Sequence, residues 1–387
     1  MKQQILKFSL FITIFTLLFS CKNEPTTPKD SFTVSGTLSG LDTKYMSTSY
    51  TDAQGNRVFD SVFVNNEQFT YTAKISKTTH IIFWPNVERT IKRSGGGYYP
   101  VKSSQFAFIA KPGDDIIFKG KVTDFIDAYP SGTKSNDDLA KINSKVFPLM
   151  NASINYMLKK NALEKTDARV QILTDSITEL DNKVVTLKKE FVKNNPTSEA
   201  AAWYLSDMMM RRQTTDEESV SLFKNLDNKL KNTPFYQEIN TRIKGIEATL
   251  IGKVVPNFST NKTLDGSTFE LSSLKGKYVL IDFWGTWCGP CVSEMPTVKE
   301  YQEKYPNKLA ILGINSGEPI DKINKFIQPK NYDWQQIITG EDEDNFVLKF
   351  NVTGFPTKFI LDPNGKILYK FVGSGEESFT KLDELLK

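Results

Sequence analysis

The sequence predicts a multidomain α/β protein in which an all-β, sandwich-like domain and an α-helical middle segment precede a C-terminal domain of alternating strands and helices. Three observations support this prediction. Period-two alternation of apolar and polar residues dominates 32–130, which indicates half-buried strands. Apolar residues at helical spacing dominate 135–251. From 255 to 387 short apolar runs alternate with helical patterns, which is the order of a sheet with helices between its strands.

The N-terminal segment, residues 1–21, is typical of an export signal. Two lysines stand near an apolar core, Phe8–Phe19, which is shorter than the roughly 20 residues that a membrane-spanning helix needs. Leu18-Phe19-Ser20-Cys21 resembles the lipobox of bacterial lipoproteins, in which the cysteine is acylated and becomes the mature N-terminus. An ordinary secretory signal with an incidental cysteine is the alternative. Residues 22–31 are polar and contain proline, so we expect a tether there.

The first domain, 32–130, contains two clear alternating runs, Phe32–Leu38 and Phe69–Ile75. Two shorter apolar runs, Phe106–Ile109 and Ile116–Phe118, flank a Pro-Gly turn. This arrangement predicts a hairpin.

Several features that could suggest binding sites are interpreted as structural. The Gly-rich stretch 92–99 is interpreted as a hairpin tip, although a binding loop is the alternative. The single histidine, His80, lies in an apolar run and is expected to be packed. Met208–Met210 is interpreted as an interhelix contact within a middle segment, 135–251, of four or five helices.

Charge and cysteine content exclude some classes of function. The net charge is only +4 over 387 residues, and no dense Lys/Arg cluster is present, so we expect no nucleic-acid partner. The chain has three cysteines, of which Cys21 belongs to the lipobox. A zinc site for the other two would need further Cys or His ligands, and the chain offers only Cys21 and His80. We therefore expect no metal and no bound cofactor.

The most informative stretch runs from Tyr278 to Pro296. An apolar strand pattern, Tyr278–Trp284, stops at a short turn that brings Cys288-Gly289-Pro290-Cys291 to the start of a helix. A thiol at a helix N-terminus faces unpaired backbone N–H groups and the positive end of the helix dipole, which favour the thiolate. The two sulfurs are close enough to alternate between dithiol and disulfide. A structural disulfide or half of a zinc site is the alternative.

These residues resemble the thioredoxin superfamily, and more closely its TlpA/ResA-like branch of membrane-tethered thiol–disulfide oxidoreductases. The resemblance is carried by F-W-G-T-W-C-G-P-C at 283–291, by Glu294 and Pro296, and by G-F-P-T-K-F-I-L-D-P-N-G at 354–365. It covers about the last third of the chain and implies a thioredoxin fold for 255–387. Residues 60–69 resemble a domain of unknown function that precedes thioredoxin domains in envelope lipoproteins.

The resemblance implies roles for individual residues. Cys288 is expected to be the exposed nucleophile, and Cys291 the thiol that resolves the mixed disulfide. Phe355-Pro356 matches the cis-proline loop, which pairs with a substrate strand. The residues expected to contact substrate are Trp287, Gly289, Pro290, Phe355 and Pro356.

Two acidic residues are candidates for proton transfer. Asp282 lies six residues before Cys288, where thioredoxins carry a buried acid, and Glu294 lies one helical turn after Cys291. Thioredoxins also place a lysine near the buried acid on the next strand, but this chain has Gly313 at that position. Without the positive charge, we expect burial to raise the pKa of Asp282, so that it exchanges a proton with Cys291. The alternative is that both acids are structural.

The predicted function is that of a lipid-anchored thiol–disulfide oxidoreductase in a Gram-negative cell envelope, facing the periplasm and anchored through Cys21. The Gly289-Pro290 pair matches thioredoxin, at about −270 mV, rather than oxidants near −120 mV, which favours reduction of protein disulfides. A membrane thiol reductase would supply electrons. The alternatives are an envelope binding lipoprotein, whose first two domains dock a partner, and a thiol peroxidase. Against the peroxidase, its P-x-x-x-T-x-x-C pattern is not matched, because Ile281 and Gly285 stand at the Pro and Thr positions.

Overall fold

The structure, a computed structural model, describes residues 27–52, 54, 56–340 and 342–387. The predicted signal, Cys21 and the first part of the tether lie outside the described residues. Within the described part, no helix is long and apolar enough to cross a membrane. The same part contains no group of three or more His, Cys, Asp or Glu side chains placed to hold a metal ion.

The N-terminal region is an all-β unit built on an eight-stranded sheet. The order across the sheet is β10-β9-β1-β4-β3-β2-β5-β8, and β6 and β7 form a separate hairpin at the Gly-rich stretch. The strands are β1 Ser31–Thr37, β2 Tyr45–Thr51, β3 Arg57–Asn65, β4 Gln68–Lys74, β5 Thr79–Trp84, β6 Lys92–Ser94, β7 Gly97–Tyr99, β8 Phe106–Ala110, β9 Asp115–Val122 and β10 Ile126–Ser131.

The sheet curls around one aromatic core. Phe106 of β8 and Phe118 of β9 belong to strands far apart in the sheet order, yet their ring centroids lie 5.2 Å apart. The predicted hairpin between these two strands is therefore wrong. β8 pairs with β5, whereas β9 pairs with β1 and β10. The turn between β8 and β9 carries the chain across the core instead of reversing it within the sheet.

Five α-helices follow, as the apolar spacing predicts. They are α1 Lys134–Asn161, α2 Arg169–Asn194, α3 Glu199–Met210, α4 Asp216–Asn225 and α5 Pro234–Ala248. Met208 and Met209 are buried in their common core, which confirms the interpretation as an interhelix contact for these two residues. Met210 is 38% exposed, so the interpretation is wrong for it. His80 stacks on Trp203 of α3, with ring centroids 4.2 Å apart, and burial lowers the pKa of this histidine to about 3. The histidine thus packs the helices against the sheet.

The C-terminal region has the thioredoxin fold. Its five-stranded sheet has the order β15-β14-β13-β16-β17, in which β13 is parallel to β14 and antiparallel to β16. The elements are β11 Ser259–Thr260, β12 Phe269–Glu270, β13 Tyr278–Trp284, α6 Gly289–Lys304, β14 Leu309–Asn315, α7 Ile320–Ile327, β15 Gln335–Ile338, α8 Phe346–Lys349, β16 Thr357–Leu361, β17 Ile367–Val372 and α9 Glu377–Leu386.

The helical segment is packed directly on the C-terminal domain. Gly245 of α5 lies so close to α8 that an added Cβ atom would be 2.7 Å from the carbonyl oxygens of both Leu348 and Lys349. Nearby, the Nε of Arg212 donates a hydrogen bond of 3.0 Å to the Oγ1 of Thr353. Absence of a side chain at Gly245 is what allows the two backbones to approach.

Candidate active site

The two cysteines lie where the central strand passes into α6. Cys288 is the N-cap residue of α6, and Cys291 lies in its first turn. Their sulfurs form a disulfide with an S–S distance of 2.01 Å. Cys288 is only 4% exposed in this oxidised form and Cys291 is 1% exposed. The expected exposure of Cys288 is therefore wrong for the disulfide state, because both sulfurs lie within the apolar cluster beneath the loop.

The loop before Cys288 is held by side chains that follow β14. Both the N–H and the hydroxyl of Thr286 donate to the carboxylate of Glu318, at 2.7 and 2.6 Å. The indole N–H of Trp287 donates to the Oγ of Ser316 at 3.0 Å. Burial opposes ionisation of Glu318, but hydrogen bonds from Lys322 and Thr286 outweigh it and lower the pKa to about 2. The loop is thus fixed by a charged acceptor.

Of the five predicted substrate-contact residues, four reach the surface, whereas Pro356 is buried. Trp287, Gly289 and Pro290 are exposed, and Trp287 is 59% exposed. The Phe355–Pro356 peptide bond is cis, and the Phe355 ring packs edge-on against Trp287 with centroids 5.3 Å apart. An added Cβ at Gly289 would meet no atom within 4 Å, so the side of the disulfide loop is open.

Asp282 lies beneath this surface on β13. Its alternation with Leu280 and Trp284 places it on the sheet face whose apolar cluster contains both cysteines. Asp282 is only 3% exposed. Its Oδ1 accepts no hydrogen bond from any residue that the structure describes.

A buried lysine faces Asp282, so the expectation of no positive charge there is wrong. Lys358 is the register partner of Asp282 across β13 and β16, and its Nζ lies 3.5 Å from Oδ1. On the other side Asp282 pairs with Gly313, as expected. A side chain at Gly313 would collide with the amide of Gln336, which bonds Trp284. The lysine therefore comes from β16, two residues after Pro356.

Glu294 is part of the same network and is not a solvent-facing residue. Lys358 donates a hydrogen bond to its Oε2, and its Oε1 accepts a 2.9 Å hydrogen bond from the Gly375 N–H. Lys358 therefore bridges the two acids that the sequence singled out. Burial raises the pKa of Asp282 to about 6, and the charge of Glu294 adds to this rise while Lys358 opposes it. The direction of the shift and its main cause agree with the expectation.

Comparison with known proteins identifies the C-terminal region. A family model described as Redoxin matches residues 250–386. The chain is 34% identical over 153 residues to the thiol-disulfide oxidoreductase ResA of Bacillus thuringiensis subsp. konkukian, a match that covers 39% of this chain and 84% of the relative. The chain belongs to the TlpA/ResA-like thiol–disulfide oxidoreductases of the thioredoxin superfamily.

The chain is also similar to other proteins and to a second family model. The thioredoxin-like protein YneN of Bacillus subtilis is 36% identical over 153 residues, covering 38% of this chain and 86% of that protein. The thioredoxin domain of a thiol-disulfide oxidoreductase from Bacteroides vulgatus is 27% identical, with a TM-score of 0.32, covering 36% of this chain and 99% of that one. A model described as a domain of unknown function, DUF4369, matches residues 32–139.

The protein is a thioredoxin-like thiol–disulfide oxidoreductase with an additional N-terminal domain. Sequence reasoning found both cysteines, the loop at Pro356 and the two acids, but it missed Lys358. The signal was present in the G-F-P-T-K motif. On a strand antiparallel to β13, the residue two positions after Pro356 faces the buried acid.

Proposed function

We propose that the chain reduces disulfides of envelope proteins through the Cys288–Cys291 pair. The observation that carries the proposal is the placement of this pair at the N-terminus of α6, beside the surface formed by Trp287 and Phe355. Unpaired N–H groups at a helix N-terminus favour the thiolate of the first cysteine once the pair is reduced. The adjacent surface, with the exposed Trp287 ring, offers a substrate polypeptide a place to bind beside this cysteine.

Two exchange steps account for the reaction. The Cys288 thiolate attacks one sulfur of the substrate disulfide, so a mixed disulfide forms and one substrate thiolate leaves. Cys291, as thiolate, then attacks the Cys288 sulfur and releases the second substrate thiolate. The substrate gains two electrons, and the Cys288–Cys291 pair becomes the disulfide of the present structure. A membrane thiol reductase, as the external dithiol donor, would return the protein to the reduced form.

The network beneath the cysteines suits proton transfer during the second step. Cys291 must lose a proton to attack, and a carboxylate with a pKa near neutrality is an effective acceptor. Asp282, with its pKa raised to about 6, has that property. In the proposal Asp282 accepts the proton while Lys358 and Glu294 set the pKa at which it does so.

The proposed location is the periplasmic side of a Gram-negative envelope, with a lipid on Cys21. The lipobox-like LFSC sequence and the polar tether at 22–31 support it. Intact-mass analysis of the membrane fraction is expected to give a mature chain that begins at an acylated Cys21. A soluble mature protein with a free thiol at this position would contradict the anchor.

Trapping of the mixed disulfide tests the proposed roles of the two cysteines. A Cys291→Ser chain cannot resolve the intermediate, so it is expected to accumulate substrate-linked species that a thiol reductant releases. The matched control, Cys288→Ser, lacks the attacking thiol and is expected to accumulate none. Equal amounts of adduct in the two variants would contradict the assignment.

A further inference from the structure

A large groove runs beside the active site between α5 and the C-terminal domain. Its volume is about 1150 Å³. One wall is the face of α5 that carries Pro234, Gln237 and Thr241, spaced three and four residues apart. The opposite wall is formed by Ser316–Gly317 and by residues around α8. Lys77, after β4, lies at the groove as well, so all three regions of the chain contribute.

The groove is continuous with the surface around the disulfide. Ser316, which lines the groove, accepts the hydrogen bond from the indole N–H of Trp287. Trp287 in turn precedes Cys288 directly in the chain. A polypeptide whose disulfide lies at Cys288 therefore has a path from the exposed Trp287 ring past Ser316 into the groove.

The groove is preformed rather than created by loose packing. The contact of Gly245 with the carbonyl oxygens of Leu348 and Lys349 holds α5 against α8 at one edge of the groove. On the opposite wall, the Thr339 N–H donates a 3.0 Å hydrogen bond to the Asn315 carbonyl oxygen, which ties the backbone before Ser316–Gly317 to the residue after β15. A binding surface that already has its bound shape loses less conformational entropy when it is occupied.

The polarity of the groove fits an extended polypeptide. Two internal ion pairs, Arg242 with Glu238 at 3.3 Å and Lys349 with Glu343 at 2.9 Å, balance most of its charge. Gln237 and Thr241 add neutral polar groups on the α5 wall. A polypeptide backbone, which is polar but uncharged, can form hydrogen bonds with such a surface.

We propose that this groove binds an extended segment of the substrate polypeptide next to its disulfide. The proposal rests on the proposed function and adds to it that the substrates are polypeptides with an accessible chain beside the disulfide, rather than small disulfides. Helix α5, which lies outside the residues that the two family models match, thereby takes part in substrate recognition.

Comparison of a large and a small substrate tests the groove. Thr241→Trp fills it from the α5 wall, and Glu247→Trp places the same side chain on an exposed position of α5 outside the groove. For reduction of insulin, Thr241→Trp is expected to lower kcat/KM about fivefold or more, mainly through KM, because a well-packed contact is lost. Reduction of oxidised glutathione is expected to be unchanged, and Glu247→Trp is expected to match the wild type with both substrates.

The outcomes distinguish a failure of the groove proposal from a failure of the proposed disulfide-reductase function. The proposal that the groove binds substrate would be overturned if kcat/KM for insulin were unchanged in Thr241→Trp. It would also be overturned if kcat/KM fell equally for insulin and for glutathione disulfide. Failure of the wild-type protein to reduce either substrate would instead count against the proposed function. A binding measurement tests the groove without the exchange reaction. The probe is a labelled, carboxymethylated insulin B chain, which has no disulfide. Its fluorescence anisotropy is expected to show weaker binding to Thr241→Trp than to Glu247→Trp.

Binding and sedimentation experiments together test whether the groove holds something other than substrate. If the labelled chain binds all three proteins equally, the groove does not hold substrate. If wild-type protein forms a dimer in sedimentation experiments and Thr241→Trp abolishes it, the groove belongs to a second copy of the chain, which also overturns the proposal.

Discussion

The ammonium group of Lys358 lies 3.5 Å from the carboxylate of Asp282, and both side chains are almost completely buried. They face each other as register partners on β13 and β16. The lysine also bonds Glu294. A buried charge is costly unless it is paired, so this lysine ties the protonation state of one acid to that of the other. The electrostatics beneath the disulfide depend on three residues rather than two.

Removal of the lysine charge should change the pH dependence of the second exchange step. Lys358 lowers the pKa of Asp282, so Lys358→Met is expected to raise that pKa above its present value of about 6. Less Asp282 is then ionised at neutral pH, and resolution slows by up to about tenfold for each pH unit of the rise. The measurement is the rate of release from a preformed Cys288 mixed disulfide as a function of pH.

Lys358→Arg is the matched control, since it keeps the positive charge. Its pH–rate profile is expected to stay close to that of the wild type. If the profile of Lys358→Met is also unchanged, Asp282 does not accept the proton in this step.

The sequence predicted most of the C-terminal region because its local patterns agree with its tertiary structure. The run Tyr278–Trp284 is a buried strand that is apolar except for Asp282, and Gly289–Lys304 follows the helix-start signal at the cysteines. The position of Asp282 was also read from spacing along one strand. Such features depend on neighbours in the sequence.

Features that depend on strand pairing could not be read in the same way. The turn after β8 has the composition of a hairpin, but the two apolar strands it joins gain more burial by facing each other across the core. Lys358 is distant from Asp282 in sequence, and only the antiparallel pairing of β13 with β16 brings them together. The packing of Gly245 on α8 likewise has no local signal.

Asp282 should also make the stability of the oxidised protein depend on pH. Its pKa is raised from 3.8 to about 6 on folding, so the folded state binds this proton more tightly. The contribution of Asp282 to the free energy of unfolding is therefore greatest below about pH 4. It falls as the pH rises to about 6, and it does not change further above that pH. The loss is on the order of 3 kcal/mol. Asp282→Asn is expected to remove this slope.

Hydrogen exchange of the β13 and β16 amides in the oxidised full chain is a suitable measurement, because the cysteines do not titrate in that form and the domains need not unfold together. Glu294→Gln serves as the comparison, since Glu294 also bonds Lys358 but is less buried. An unaltered pH slope in Asp282→Asn would show that folding does not change the pKa of Asp282.

Because α5 packs closely on α8, we expect replacement of Gly245 by alanine to destabilise the protein, whereas the same replacement inside a helix usually stabilises it. Alanine is normally favoured over glycine inside a helix by up to about 1 kcal/mol. At Gly245, however, the new methyl group would meet two carbonyl oxygens at 2.7 Å. Gly245→Ala is therefore expected to destabilise the contact by about 1 to 3 kcal/mol, because backbone must move to admit it.

Thermal unfolding and limited proteolysis around the connection between α5 and β11 would report this change. Gly97→Ala in the β6–β7 hairpin is the control, since its nearest neighbour to an added Cβ is 3.6 Å away. A stabilised Gly245→Ala protein, or one as protease-resistant as the control, would contradict close docking of the helical segment on the C-terminal domain.

The central claim is that the Cys288–Cys291 dithiol reduces a protein disulfide directly. The decisive measurement is a single-turnover reaction of the purified, fully reduced protein with excess insulin, with no other reductant present. The account predicts loss of one insulin disulfide for each Cys288–Cys291 disulfide formed, and no loss with Cys288→Ser. Oxidation of the pair without matching insulin reduction, or an active Cys288→Ser protein, would contradict it.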